Sequence, residues 1–597
     1  MRILFRCAVL LSVIAAGSAC AQPSNDNWSN ATTIASLPFV TSEPNMYLAT
    51  VEASDPVVPC VPVVSEPLTA NNTLWYKYTP VQTTEYLTLT IPYRSPVSAL
   101  ISVYTGNPAD GFRIVSGGCA GESDDEMITR IAGLRLTGGT TYSILVASSF
   151  GGLNSSNPLS FSVVSSAVYA VTKTTDTKDG ACNVDNCSLR DAIDASNLTP
   201  GAVLIPTGTY KLTLADADEF QNEYSNATGS LDALHGMGIY GAGMQATIID
   251  ANGLGRALDL DPVSSSYTHT SFAMGDLAII NGHAVPTLTH SAGGGGLLLN
   301  SNSDYFGLER VWVTSNQSDG TGGGGGLTIN SPGTIRDSIV SNNVSTNYGG
   351  GGFSAGTNDG RFIEISGTTI SGNSVTDPAG GHGGGIDAFA TLRISNSTIS
   401  GNHAIGNGGG INLYGNGSSL HMASSTVVLN TAQTNPVHSG GGGAGLSLDT
   451  AAADPNSIVD TILAYNTTAN PTDPQDCLIF TDAPAVLNSS YNHVATNTGT
   501  ADFGIAPCQF TGLGDVTGSD PGVSHVLGNN GGLTPTHALL SNSPAQDSGA
   551  PGGCRDAAGM LLAYDQRGAG FPRISNGRCD KGAFEFIDKI FGNGFDD

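Results

Sequence analysis

The sequence predicts an all-β protein, a right-handed parallel β-helix preceded by an antiparallel β-sandwich, and three observations lead there. Glycine supplies 79 of 597 residues while charged residues supply 12%, a balance that suits many turns and does not suit a helical bundle. Glycine runs open successive units at Gly293 to Gly296, Gly322 to Gly326, Gly349 to Gly352, Gly383 to Gly385, Gly408 to Gly410 and Gly440 to Gly443. Later in each unit an apolar residue stands three places before an asparagine: Val313 and Asn316, Ile339 and Asn342, Ile370 and Asn373, Ile399 and Asn402, Val427 and Asn430, Leu463 and Asn466. These asparagines lie 26 to 36 residues apart, a solenoid period with its drift absorbed in loops.

The chain opens with Arg2, Arg6 and an apolar stretch from Cys7 to Ala16, then Ala19 and Ala21 around Cys20. That pattern predicts a secretory signal over 1–21, cleaved before Gln22. A lipid-modified Cys20 competes with it, but Gly17 stands where such signals usually carry Leu.

Residues 22–166 alternate with period two, as in Leu74-Trp75-Tyr76-Lys77-Tyr78 and Tyr86-Leu87-Thr88-Leu89-Thr90-Ile91. Arg130 to Leu136 and Thr141 to Ala147, joined through Gly138-Gly139, form an expected hairpin of a sandwich. Asn25-Asp26-Asn27-Trp28, the Trp75 strand, Val103-Tyr104-Thr105-Gly106 and the Gly-Gly turn before Tyr142 resemble the pre-peptidase C-terminal type of β-sandwich. The resemblance implies an accessory or binding module.

The region 167–586 is expected to be the β-helix. Ser188 is placed to cap a short helix in which Leu189, Ala192 and Ile193 make one apolar face, covering the open first coil. Cys187-Ser188-Leu189-Arg190-Asp191-Ala192 resembles the CSLREA motif at the start of many exported β-helix proteins, with Asp191 for the usual Glu. Within each unit, glycine turns sharply without a Cβ, asparagine tolerates left-handed backbone and bonds to its neighbour in the next coil, and alternate apolar residues fill the interior. These repeats resemble those of polymorphic outer-membrane β-helix proteins and of the pectin-lyase-like fold. Asn529-Asn530-Gly531-Gly532-Leu533-Thr534-Pro535, Asp565-Gln566-Arg567-Gly568 and Cys579-Asp580-Lys581-Gly582-Ala583-Phe584-Glu585 resemble the C-terminal region of choice-of-anchor Q proteins. Leu533 and Gln546 depart from that pattern, and the family name implies surface sorting. The acidic tail, 587–597, holds neither a hydrophobic anchor nor a sortase site, and a sorting signal and a frayed end both remain open.

The formal charge of −28 is spread along the chain and disfavours nucleic acid as a partner. No later stretch holds about eighteen apolar residues in a row, so no transmembrane segment is expected. Outside the signal, sequence proximity pairs Cys60 with Cys119, Cys182 with Cys187, Cys477 with Cys508, and Cys554 with Cys579. Eight cysteines permit about a hundred connectivities. Their spacing suits structural staples in an oxidising compartment and not a metal site. No cofactor is expected, calcium being the one left open.

A reaction centre is harder to compose. Elimination on a uronic acid polymer needs an Arg or Lys base beside acidic groups that hold calcium. Arg310 and Arg336 both stand six places before their asparagine and could stack, whereas Arg361 and Arg393 stand at twelve and nine. Hydrolysis needs two acids, for which Asp359, Glu364 and Asp387 are candidates. His382 sits in a Gly-His-Gly piece that resembles part of the polygalacturonase motif, without its companions. Binding needs less: Tyr305, Phe306, Trp312, Tyr348 and Tyr414 are aromatic candidates for stacking on sugars, each with a core or loop role as the plainer reading. The sequence thus points to a secreted or surface-displayed monomer for adhesion or extracellular glycan binding, partnered with a polysaccharide or a host or cell surface. A divergent polysaccharide lyase or hydrolase is the runner-up.

Overall fold

The computed structural model describes residues 22–60, 72–92, 99–121, 128–148, 158–215, 226–262, 270–286, 293–300, 303–357, 361–433, 442–449, 455–480, 487–496, 498–499 and 505–587. The signal segment, the tail beyond 587, Asp359, Gly440 and Gly441 lie outside them.

The chain first builds a five-stranded and a four-stranded sheet, packed face to face. Their inner faces supply one core, from Leu74, Tyr76, Leu87 and Ile101 to Ile144, Phe161 and Val163. The expected hairpin at Gly138-Gly139 is not one. Ile128–Thr137 pairs with Thr84–Pro92 in one sheet, while Tyr142–Ser148 pairs with Asn72–Tyr78 in the other. The turn carries the chain between sheets, and Gly138 N and Gly139 N donate to Thr83 O and Pro80 O of another connection instead of closing on their own strands. Period-two alternation is the same for a strand that turns back beside its neighbour and for one that crosses the core, so it did not distinguish them.

From Ala167–Ala170 onward the strands pair in parallel as a right-handed β-helix. Most full coils give two short strands to a twenty-stranded sheet, two give one long strand instead (Thr270–Ile280 and Ser303–Thr314), each gives one to a ten-stranded sheet, and most give a two-residue strand to a third. The helix Leu189–Leu198 closes the first coil, with Ser188 Oγ accepting from Asp191 N and Leu189, Ala192 and Ile193 buried. Those three side chains join the interior cluster that continues to Phe510. The residues after the glycine runs stack in register: Leu297 on Leu327, Phe353, Ile386, Ile411 and Leu446.

The asparagines form a buried ladder. Asn373 N and Nδ2 both donate to Asn402 Oδ1, at 3.0 and 2.9 Å, and Nδ2 also donates to Val340 O in the preceding coil. Asn316, Asn343, Asn402 and Asn430 repeat this arrangement. The row ends at Asn466, whose Nδ2 donates to Asp476 Oδ1 at 2.8 Å; a carboxylate, which needs no donor of its own, terminates it. Burial pushes the Asp476 carboxyl up to about 6. The ladder residue in its second unit is Asn343 and not Asn342. Both follow an apolar residue by three places, but Val340 packs in the interior and stacks on Ile370, whereas Ile339 faces out.

The one-residue correction also separates the two arginines. Arg336 lies opposite Glu309, so Arg310 is level with Asp337. Arg310 instead clamps Asp276 through Nε and Nη2, and Arg336 bonds Glu364 and the carbonyl of Ile114.

A second ladder, of hydroxyl groups, runs beside the asparagines. Ser338, Thr368, Ser397, Ser425 and Thr461 each donate a hydroxyl to the carbonyl two residues earlier. Each hydroxyl also accepts a backbone N–H from the coil before it. This row ends on Asn492 and then Asp515, again a carboxylate.

The four disulfides join Cys60 to Cys119, Cys182 to Cys187, Cys477 to Cys508 and Cys554 to Cys579. No helix among the described residues is long and apolar enough to cross a membrane.

Candidate functional site

Beyond the last coil the chain turns back along the outer face of the twenty-stranded sheet. Its hairpin, Val523–Gly528 with Thr536–Leu539, starts this arm. The arm is fixed to one outward column of threonines. Thr369 Oγ1 donates to Pro535 O, Thr398 Oγ1 donates to Gln566 Oε1, both at 2.6 Å, and Ala583 N donates to Thr426 Oγ1 at 2.9 Å. The buried polar residues of the Asp565-Gln566-Arg567 and Cys579-to-Glu585 segments make the attachment. Arg567 pairs with Asp565 and lies between the rings of Phe571 and Phe584, 3.9 and 3.8 Å from their centroids. Lys581 Nζ donates to Asn492 O and Gly514 O on the last coils. On its other side the arm meets the sandwich, where Arg113 approaches Asp556 at 3.9 Å.

Trp312 and Ile339 belong to the same outward column as Thr369 and Thr398, but precede the arm. Between this part of the coil face and the hairpin lies a groove of about 490 Å³, within the size range of small-ligand sites. Its floor is two register-matched rows. Ser341, Ser371 and Ser400 make one. The residues that follow them, Asn342, Gly372, Gly401 and, one coil on, Leu429, make the other, all with φ between 55° and 65°. His525, Asn529 and His537 stand on the opposite wall.

Trp312 is half-buried, and its Nε1 donates to Ser341 Oγ at 3.0 Å. His537 is fixed at both ring nitrogens, 2.7 Å from Ser400 Oγ and 2.7 Å from Ser524 O. The carbonyl only accepts, so Nδ1 carries the proton and Nε2 accepts from the serine. Burial lowers the His537 pKa. At the far end the His525 ring packs against Tyr465, centroids 4.3 Å apart. The side chains of Gln245, Asn342 and Ser371 have no hydrogen-bond partner among the described residues, which leaves their polar atoms to a ligand or solvent.

Trp312 is thus the one aromatic candidate that lines this groove. Tyr305 and Phe306 are fully buried, because both sit where the sandwich and the coil interior close on their strand. Tyr348 is 58% exposed on a glycine-run loop, and Tyr414 packs against Phe389, centroids 5.8 Å apart.

Among the described residues, the acid, base and arginine candidates do not all gather at one place. Glu364 lies directly opposite Arg393 on the twenty-stranded sheet, and its carboxylate is 3.0 Å from Arg336 Nη2. Arg393 covers the ring of Phe362 at 3.8 Å, and Arg361 Nη1 donates to Asp304 O. Asp387 belongs to the ten-stranded sheet, where it lies between Ser354 and Asn412. It points outward but is buried, because the Gly349 backbone crosses over it so closely that a Cβ there would lie 2.3 Å from its carboxylate. Burial pushes its carboxyl up to about 7. His382 is exposed in its glycine loop, with Nδ1 accepting from Asn407 N of the next coil. One metal-sized cluster occurs among the described residues, Asp460 with Cys554 and Cys579. Its two sulfurs are joined in a disulfide, so they have no thiolate to offer an ion.

The serine and asparagine ladders have a sequence signal, a Ser or Thr five places before each ladder asparagine from Asn343 to Asn466. The groove has none, because its wall is 137 residues from the Ser400 it touches.

No protein-family model matches the chain, and no curated protein matches it. Solved structures similar to it include the catalytic domain of a GH87 α-1,3-glucanase in complex with tetrasaccharides. That domain is 12% identical, over 77% of this chain and 91% of the other, with a TM-score of 0.25. The Agl-KA catalytic domain is 13% identical, over 77% and 85%, with a TM-score of 0.23. The A-module of the Azotobacter vinelandii mannuronan C-5 epimerase AlgE6 is 17% identical, over 56% and 95%, with a TM-score of 0.24. TM-scores this low carry no argument about ligand or reaction.

Proposed function

We propose that this chain is an exported carbohydrate-binding protein, in which the β-helix holds a glycan site and the sandwich is an accessory module for adhesion to a surface. The observation that carries the reading is the groove beside Trp312. It combines an aromatic ring with unpartnered amide and hydroxyl groups on a rigid coil face, the mixture of apolar and polar contacts that a sugar ring offers in return. Four disulfides fit an oxidising, extracellular setting. Among the described residues, the candidate acids Glu364 and Asp387 and the candidate arginines are engaged in ion pairs, packing or burial away from this groove, which favours binding over turnover.

The test is retention of the full chain on immobilised glycans, including pectin and alginate with and without calcium, alongside assays for unsaturated and reducing-end products. The reading expects saturable retention without product, weakened at least tenfold in Trp312→Ala. Product release, or retention unaffected by that variant, contradicts it.

A further inference from the structure

We infer that the groove takes an uncharged glycan lying along the coil axis, with successive sugars facing successive coils; the inference rests on the carbohydrate-binding reading above. Three observations carry it.

The first is the repetition of the floor. Ser341, Ser371 and Ser400 are register partners on consecutive coils, so the same hydroxyl recurs at about the 4.8 Å spacing of parallel strands. Trp312 and Thr314 engage the Ser341 hydroxyl and His537 that of Ser400, which leaves Ser371 as the open hydroxyl of the row, and a chain laid along the axis passes one coil for about every sugar. A chain laid across it meets one coil only.

The second is the pair of glycines in the adjoining row. Every member has left-handed backbone, but the conformation alone does not demand glycine: Ser315, Asn342, Leu429 and Tyr465 adopt it with side chains, at φ of 58°, 55°, 61° and 58°. Gly372 and Gly401 occupy the two positions in between. A Cβ on Gly401 would meet nothing within 4 Å. Packing therefore does not exclude a side chain at Gly401, and its absence lowers the floor between two bulkier ends, Asn342 with Trp312 and Leu429 with Tyr465.

The third is charge. Among the described residues, no Lys, Arg, Asp or Glu lines the groove, and two histidines are its only titratable side chains. His537 is spent on Ser400 and Ser524. A uronate entering this space would lose water without gaining a counter-charge, and it would approach a chain of formal charge −28. Hydroxyl groups, by contrast, can both donate to and accept from the free side chains of Gln245, Asn342 and Ser371.

The experiment is calorimetric titration of the full chain with neutral homo-oligosaccharides of one to six units, drawn from glucans, mannans and galactans, beside matched oligouronates. A Gly401→Leu variant, which copies the side chain of Leu429, is run in parallel, with its melting temperature as the folding control. The expected result is affinity that rises with each added neutral sugar to about four units and then levels, the number of floor positions from Asn342 to Leu429. Gly401→Leu should cost the longer oligosaccharides tenfold or more and leave the disaccharide nearly unchanged. Tighter binding of oligouronates, lost in Trp312→Ala, overturns the uncharged-ligand inference but leaves the carbohydrate reading standing. Affinity independent of length overturns the axial arrangement, and so does an equal loss for long and short neutral sugars in Gly401→Leu. Failure of every glycan to bind sinks the carbohydrate reading itself.

Discussion

One outward column of the coil runs from Trp312 through Ile339 to Thr369, Thr398 and Thr426, and its two halves have opposite fates. The threonine half lies under the C-terminal arm, each hydroxyl meeting an arm backbone or side-chain group. The Trp312 half stays open and forms the groove floor with its neighbours. Position in the repeat therefore does not decide whether a residue is structural or available to a ligand. The reach of the arm decides it, and the arm is held by buried polar contacts made outside the repeats.

The comparison breaks most severely at Arg567. Arg567→Ala removes the partner of Asp565, which is 1% exposed, and empties the space between two rings, so a loss of about 3–5 kcal/mol is expected for arm docking. Hydrogen exchange should then quicken at Thr398 and Thr426 and across 523–586, while the coils before Trp312 keep their protection. Trp312→Ala makes the converse change. It should leave exchange in the arm unaltered and weaken glycan retention tenfold or more, about 1.4 kcal/mol. Gly401→Ala, at φ 64° with open space around it, should cost about 1 kcal/mol through left-handed backbone alone, measured by chemical denaturation.

A dependence on pH should fall on the covered half. Burial raises the Asp580 carboxyl to about 6 and the Glu585 carboxyl to about 7, the latter helped by its proximity to Asp580. A pKa raised by folding gives stability that is present in acid and lost as pH rises through the folded value. Arm docking should weaken by a few kcal/mol, on the order of 1.4 kcal/mol per proton released per pH unit, as pH rises from 5 to 7.5, and Glu585→Gln should flatten that slope. An arm that tightens with rising pH would contradict the assignment.

Much of this was legible in the sequence, for physical reasons. Each coil must bury an apolar face and satisfy its turns, so Leu297, Leu327 and Phe353 after glycine, and asparagine after Ile370 and Ile399, recur visibly. The signal failed where two registers were chemically equal. Asn342 and Asn343 are adjacent, and only the inward packing of Val340 separates them. It failed again at Gly138-Gly139, where alternation does not say which sheet receives the next strand. The C-terminal segments were recognisable as a pattern, but nothing local in Asp565-Gln566-Arg567 states that Gln566 will bridge Thr398, Thr369 and Thr534. The groove was the least legible feature, since Trp312, Ser371 and His537 meet only after the chain has turned back on itself.

The most direct test is hydrogen exchange of the full chain with and without a saturating neutral tetrasaccharide. Protection gained together at 339–342, 371–372, 400–401 and 525–537 is the predicted result. Protection confined to the sandwich at 22–166, or to the strands carrying Glu364 and Arg393, would contradict a glycan site between the coil face and the arm.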